Sequence, residues 1–302
     1  MSGVEQGAGE GGGSAGRDER DPFGPLDRSY AAYLDENPAP PGGSLLAQTI
    51  LTGPARRSTY EIVPIEPGDT LLDLGTGFGP VALELAHLAR VDAVGVDSDR
   101  DVLEVAGAIR ERLAGFLAPG SEVRFVPADV TDLPSGDESV DVVTARLLFQ
   151  HLARPEEAIE EIRRVLRPGG RVFVFDVDDG LGVSYPDPSP ALGALEAAFD
   201  ACQSVRGGDR QVGRKLSSYF ARAGFEVGTI RLLAQAVHVA SEVGDASRAL
   251  TAARLRAARD EIVARGLLGP AEFDASLDSY LREPAVERFR AECQLAAVFT
   301  RR

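Results

Sequence analysis

The residues of this chain with chemical reach come at regular stations. Asp73-Leu-Gly-Thr-Gly-Phe-Gly79 sets a carboxylate two places before three alternate glycines, Gly75, Gly77 and Gly79. Glycines at such a turn adopt backbone angles closed to other residues and leave no Cβ in the way of a close-lying ligand. Asp97 follows roughly twenty residues on, where a doubly wound fold sets a carboxylate to accept both hydroxyls of a ribose. Asp129 lies in a loop after the next apolar run, and Arg146, Gln150 and His151 come after the run beyond that. His151 is the group there most suited to moving a proton near neutral pH. Asp176-Val-Asp-Asp-Gly180 gathers three acids that could orient a cationic substrate or accept a proton. Asp209, Arg210 and Arg214, in Gly207-Gly-Asp-Arg-Gln-Val-Gly-Arg214, could also meet a substrate. Each station has a plainer reading. Asp97 or Ser98 could cap a helix, His151 could bond only to backbone, and the acids and the Gly-Asp-Arg segment could be turn chemistry.

Strand tips must carry these groups, and the pattern supplies them. The apolar run ending at Leu74 breaks into the glycines, and Pro80 opens a helix to Ala89 whose buried face is Val81, Leu83, Leu85 and Leu88. A second strand, Val91–Val96, ends at Asp97, and a helix covers Arg100–Leu113. Glu122–Val126 and Ser139–Ala145 are the third and fourth strands, the latter with Asp141 at its mouth. The helix Pro155–Leu166 opens on proline and acids and stops at Pro168-Gly-Gly170, before a fifth strand, Arg171–Val177. A proline loop (184–190), a helix (Ala191–Ser204), a helix ending at Ala223 and a sixth strand (Gly224–Arg231) follow. Residues 243–290 read as helical and Cys293–Arg302 as a last strand. Such alternation predicts an α/β, doubly wound sheet with its ligand site outside the carboxyl ends of the strands. The expected organisation is a disordered tail (1–20), an N-terminal helical lid (21–67) and a core (68–232). A helical substrate cap (233–291) is then inserted before the last core strand (292–302).

Composition limits the partners. With 302 residues and 44% hydrophobic content the chain can bury one good core and still carry an insertion. A net charge of −15 disfavours nucleic acid and anionic membranes. No apolar run approaches the roughly 20 residues of a bilayer span and no basic-then-apolar leader opens the sequence, so the expectation is a soluble cytoplasmic protein. Cys202 and Cys293 are too few and too far apart for a metal cluster; they read as small buried hydrophobes, and no metal is expected.

The ordered set Asp73–Gly79, Asp97, Asp129 and Leu166-Arg-Pro-Gly-Gly-Arg-Val172 resembles the class I S-adenosylmethionine-dependent methyltransferases over about residues 65–302, closest to the branch with quinone-ring and natural-product enzymes. The resemblance implies a Rossmann-like, seven-stranded sheet of order 3-2-1-4-5-7-6 with strand 7 antiparallel, and S-adenosylmethionine as cofactor. It assigns cofactor contact to the turn (Asp73, Gly75, Thr76, Gly77, Gly79), to Asp97 and Ser98 for the ribose, and to Asp129 and Val130 for the adenine. It sets Arg146 at the methionine end, with Gln150 and His151 by the cleft and His151 as candidate base. Asp176, Asp178 and Arg210 stand as candidate substrate contacts. A small-molecule or peptide acceptor is implied, with the chain a monomer or homodimer. The Asn/Asp-Pro-Pro-Tyr/Phe box of exocyclic-amine methyltransferases is missing, which disfavours base methylation. Two other classes stay open. One is a cofactor-binding protein on this scaffold that transfers no methyl group, such as a pericyclic catalyst or regulatory partner. The other is a nicotinamide-dependent oxidoreductase, which Pro80 in place of a third spaced glycine, Asp73 and the lack of a Tyr-x-x-x-Lys pair oppose; Lys215 is the only lysine.

Overall fold

The computed structural model describes residues 21–113, 115–239, 246–284 and 288–302. The expected disordered tail, 1–20, lies outside the described residues. The described residues begin with the helices α1 (Gly24–Glu36), α2 (Gly43–Leu51) and α3 (Gly53–Arg57), followed by a 3-10 turn at Tyr60–Ile62. Prolines obscure α1 in the sequence, yet Pro25 stands in its first turn, where a missing N–H costs nothing, and Leu26 and Tyr30 are buried beneath it.

The alternation then unfolds as β1 (Thr70–Leu74), α4 (Pro80–Ala89), β2 (Asp92–Asp97), α5 (Arg100–Glu111), β3 (Val123–Pro127), β4 (Val140–Arg146), α6 (Pro155–Val165) and β5 (Leu166–Val177). A short β6 (Val183–Tyr185), α7 (Pro190–Val205), α8 (Gly213–Arg222), β7 (Phe225–Val239), α9 (Ala246–Ala264), α10 (Pro270–Arg282) and β8 (Arg288–Arg301) complete it. The sheet order is β3-β2-β1-β4-β5-β8, with β7 on the outer side of β8. β8 is antiparallel to β5, β6 and β7. Leaving out β6, which only extends the β5 edge of β8, this is the expected 3-2-1-4-5-7-6 sheet with one reversed strand. With β6, the sheet has eight strands among the described residues rather than seven.

Apolar side chains sort into three cores. One, under α4 and α5, includes Leu26, Tyr30 and Leu46 of the N-terminal helices; a second lies under α6 and α8 on the other face of the sheet. The third joins α7, α9 and α10 into the cap, and α9 also packs on α2, so cap and N-terminal segment meet.

Several boundaries differ from the sequence expectation. β7 runs to Val239 and β8 starts at Arg288, so the helical excursion is shorter than 233–291; pairing continues from Phe225↔Arg301 out to Val239↔Arg288. Leu88 is 49% exposed, because α4 is covered on only part of its surface at that end. The cap of α5 is Asp99, whose carboxylate accepts the amides of Asp101 and Val102, not Asp97 or Ser98. Asp141 sits at the amino end of β4, bonded to Thr70 and Arg167, remote from the strand mouth. Cys202 is buried, whereas Cys293 is only partly so.

Candidate functional site

The carboxyl ends of β1, β2, β3, β4 and β5 meet at one edge. Leu74 pairs with Val96, Asp73 with Thr144, Asp97 with Pro127, and Arg146 with Phe175. Gly75, Gly77 and Gly79 all have positive φ, at 61°, 54° and 78°. Their Cβ directions differ. A methyl on Gly75 would stand 2.9 Å from Leu148, and one on Gly79 2.3 Å from Phe125, while one on Gly77 would meet no protein atom within 4 Å. Gly77 is therefore the glycine that opens to a ligand; the other two admit packing from β3 and from the segment after β4.

Asp73 lies beneath the turn rather than on it. It is 1% exposed, and its carboxylate accepts the hydroxyls of Thr76 at 2.6 Å and Thr144 at 2.7 Å. Burial raises its pKa to about 6 against these bonds. Its observed part is to hold the turn's shape. Gly95 on β2 leaves the room this needs, since a Cβ there would stand 2.6 Å from the Thr76 hydroxyl.

Asp97 does reach the turn. One carboxylate oxygen accepts the Gly77 amide at 2.9 Å and the other the Asp99 amide at 3.0 Å. Its carbonyl accepts the Ala128 amide, which draws the 127–131 loop alongside. In that loop Asp129 is exposed, with its pKa lowered by the amide and hydroxyl of Thr131; Val130 is buried, and Ser98 stands exposed between. The ribose and adenine candidates thus share the edge beside Gly77.

Arg146 closes the other side. Its guanidinium lies 5.2 Å from the Phe175 ring centroid and makes one long bond, 3.4 Å, to the Thr52 hydroxyl. Its Nε is buried without a partner, and among the described residues no carboxylate lies within ion-pair distance. Burial, then the charge of Arg56, lowers its pKa to about 10. A cation kept this short of partners suits an anionic group supplied from outside.

Gln150 and the three acids turn out to be bound within the protein. Gln150 is buried; its side chain accepts from Arg210 and donates to the Leu147 carbonyl. Asp176 is fully buried, accepting the amides of Gln150 and Val177, and burial raises its pKa to about 7. Asp178, also buried, is gripped by Arg214 at 2.5 and 2.6 Å, and Arg210 holds Asp179 at 2.7 Å. Asp178 and Arg210, expected as substrate contacts, are each held by neighbours that only the fold brings together. His151 ends the 3-10 turn Phe149–His151 and is exposed as a residue, yet the mass beside its ring, then Arg210 and Arg206, hold the imidazole below its usual pKa. It is neutral at pH 7, the form that accepts a proton. Among the described residues no cluster of His, Cys, Asp and Glu could hold a metal, and no helix is long and apolar enough to cross a membrane.

The sequence reading missed the clamp behind the turn. Glu84, fully buried in α4, receives Arg56 through two bonds of 2.7 and 2.8 Å, Arg57 at 2.8 Å, and the Tyr60 hydroxyl. Arg57 also chelates Asp27 on α1, and the Tyr30 hydroxyl donates to the Phe78 carbonyl inside the glycine turn at 2.9 Å. The signal lay in plain view: a lone acid between Leu83 and Leu85 in an otherwise apolar helix needs a buried cation.

Residues 72–174, from β1 through the middle of β5, match the family described as Methyltransferase domain. Over that third of its length the chain is similar to methyltransferase domains. The resemblance read from the sequence is borne out, and S-adenosylmethionine is the cofactor such a domain implies. An uncharacterized 37.1 kDa protein in transposon TN4556 of Streptomyces fradiae is 34% identical over 65% of this chain and 55% of its own length. A demethylmenaquinone methyltransferase of Clavibacter sepedonicus is 37% identical over 39% of this chain and 45% of its own. An O-methyltransferase of Penicillium expansum is 32% identical over 48% and 51% respectively. The chain thus spans about half the length of these curated relatives. Two solved structures share the fold. A SAM-dependent methyltransferase of Methanosarcina mazei has a TM-score of 0.50 at 14% identity, covering 78% of this chain and 94% of that one. The [4+2]-cyclase SpnF has a TM-score of 0.51 at 23% identity, covering 82% and 80%.

Proposed function

We propose that the protein transfers the methyl group of S-adenosylmethionine to a small or medium-sized organic acceptor of secondary metabolism. The observation that carries this reading is the pairing of two features across one strand edge: a glycine, Gly77, open to a ligand and tied to Asp97, and Arg146, a half-buried cation whose buried Nε has no partner. The residues fit the cofactor. Gly77 and Asp97 would take the ribose, Asp129 and the Val130 amide the adenine, and Arg146 the carboxylate of the methionine end. When bound, the cofactor supplies a methyl group on a sulfonium that leaves as S-adenosylhomocysteine while the acceptor's electron pair forms the new bond. The chain's own work is to align the acceptor and exclude water, which alone supplies much of the acceleration. His151, neutral and beside the cleft, is the group suited to take the acceptor's proton.

The relatives' printed activities, quinone-ring and O-methylation, support a carbon or oxygen acceptor. The likeness to a [4+2]-cyclase keeps a second reading in view, in which the cofactor is bound and no methyl moves. Calorimetry with S-adenosylhomocysteine and 5′-methylthioadenosine, which lacks the amino-acid end, tests the assignment. Arg146→Gln should weaken S-adenosylhomocysteine by about tenfold or more, as for a lost charge-assisted bond, and leave methylthioadenosine unchanged. Equal effects on both ligands would overturn the role of Arg146, and no binding of either would overturn the function. Binding without S-adenosylhomocysteine release across a broad acceptor panel would favour the second reading.

A further inference from the structure

Helix α7 has two unlike long faces. Leu192, Leu195, Ala198 and Cys202 are buried in the cap core. Glu196, Phe199, Asp200 and Gln203 recur at i, i+3, i+4 and i+7, so they form one stripe on another face. All four are half-buried, an unusual setting for two acids and an amide.

Phe199 of the stripe meets α9, and Asp200 lies in the field of Asp179 and Arg210. The stripe's lower end is fixed by two glycines: a Cβ on Gly207 would strike Ala153 at 2.5 Å, and one on Gly208 the Gln150 carbonyl at 2.7 Å. The Gly208 amide bonds back to the Gln203 carbonyl, and the Asp209 amide bonds to the Gln150 carbonyl. Gln203 therefore stands next to the His151 turn. From α9, Arg254 lays its guanidinium over the Phe199 ring, 4.8 Å from the centroid.

Two of these polar atoms are left without a partner. The Nε of Arg254 and the Oε1 of Gln203 are buried with no hydrogen-bond partner. Among the described residues neither Arg254, Glu196 nor Asp200 has an ion pair, although the neighbouring charges are all paired: Arg210 with Asp179, and Arg290 with Glu292 at 2.6 Å. Burial holds Glu196 and Asp200 toward their neutral, proton-donating forms, and burial followed by the charge of Arg210 works against the charge on Arg254. A cation and two carboxyl groups within each other's field, yet out of bonding reach, leave room for a group between them. A guanidinium Nε buried without a partner, as in Arg254, costs stability unless something else pairs it.

We propose that this stripe binds the polar end of the methyl acceptor, and that Arg254 takes from it an oxyanion, a carboxylate or an ionised phenol, while Phe199 supplies a face for an attached ring. Glu196 and Asp200, on the same stripe, border it. This inference rests on the methyl-transfer reading for the word acceptor, but the anion site stands on its own residues.

The test uses 2-naphthoate, its carboxamide and 2-naphthol, titrated calorimetrically into the full chain with and without saturating S-adenosylhomocysteine. Naphthoate should bind at least tenfold more tightly than the amide. Arg254→Gln should erase that preference, Arg254→Lys should keep part of it, and both variants should bind S-adenosylhomocysteine as the parent does. A preference for naphthol over naphthoate, lost in the same variant, makes the oxyanion a phenolate. No acid or phenol preference in the parent chain at millimolar probe, or one that survives Arg254→Gln, overturns the proposal. Failure of S-adenosylhomocysteine to bind, with the naphthoate preference intact, would count against the function and not against this site.

Discussion

Replacing Glu84 with leucine should be among the most damaging single changes in the protein. Glu84 is 0% and Arg56 1% exposed, and the two share bonds of 2.7 and 2.8 Å. The substitution leaves Arg56 with only the Thr49 carbonyl at 3.0 Å, and strips one acceptor each from Arg57 and Tyr60. Breaking a buried pair by removing one partner costs about 3–5 kcal/mol, since the remaining charge is left without water or counter-charge. For a chain of this size that is a fall in Tm of roughly 6–15 °C, readable by circular dichroism. Arg56→Met in the same background should return much of the loss, because an apolar pair of similar volume is often neutral. Arg57 keeps Asp27 in both variants, so the recovery isolates the Arg56–Glu84 term. If Glu84→Leu lies within about 1 kcal/mol of the parent, or if the two changes simply add, the clamp does not hold the N-terminal helices on α4. Weaker binding of S-adenosylhomocysteine should accompany the loss, since Tyr30 reaches the Phe78 carbonyl from the same helices.

Three further outcomes are expected. His151→Ala should lower turnover and remove the limb of the pH profile that rises as imidazole loses its proton, below its ordinary value, because burial and two arginines depress it; an unchanged profile would dismiss His151 as base. Asp176 keeps its proton up to about 7, while the unfolded side chain titrates near ~3.9, so the native state holds the extra proton and stability declines as pH rises through that window. Asp176→Asn should flatten this decline in urea unfolding across the window, and a parental slope in the variant would refute the assignment. Gly79→Ala adds a contact of 2.3 Å with Phe125 to the cost of its positive φ, whereas Gly77→Ala bears the φ cost alone. The first should therefore be the more destabilising, by roughly 1–3 kcal/mol, and Phe125→Leu should narrow the difference.

The order of chemistry along the chain was legible because it is local. A strand that ends in glycines, a carboxylate one strand later and a proline-capped helix all follow from neighbours in sequence, and α4 and the Asp97 tip appear where they are expected. Lengths were less legible where pairing is long-range: β7 extends to Val239 because β8 continues alongside it, a partner about fifty residues on. Partnership among charges was not legible at all. Asp73, Asp176 and Asp178 look alike in the sequence as acids at strand tips, yet burial turns the first two into holders of backbone and turn, and Arg214 neutralises the third. Glu84 and Arg56, or Arg254 with the α7 stripe, acquire meaning only when helices far apart in the chain are packed together. The sequence by itself determined the sheet, the turn and the kind of ligand such a turn admits, since these rest on backbone geometry and periodicity. Tertiary packing decided which charges are matched and which are left waiting, because the cost of a charge depends on what surrounds it in space.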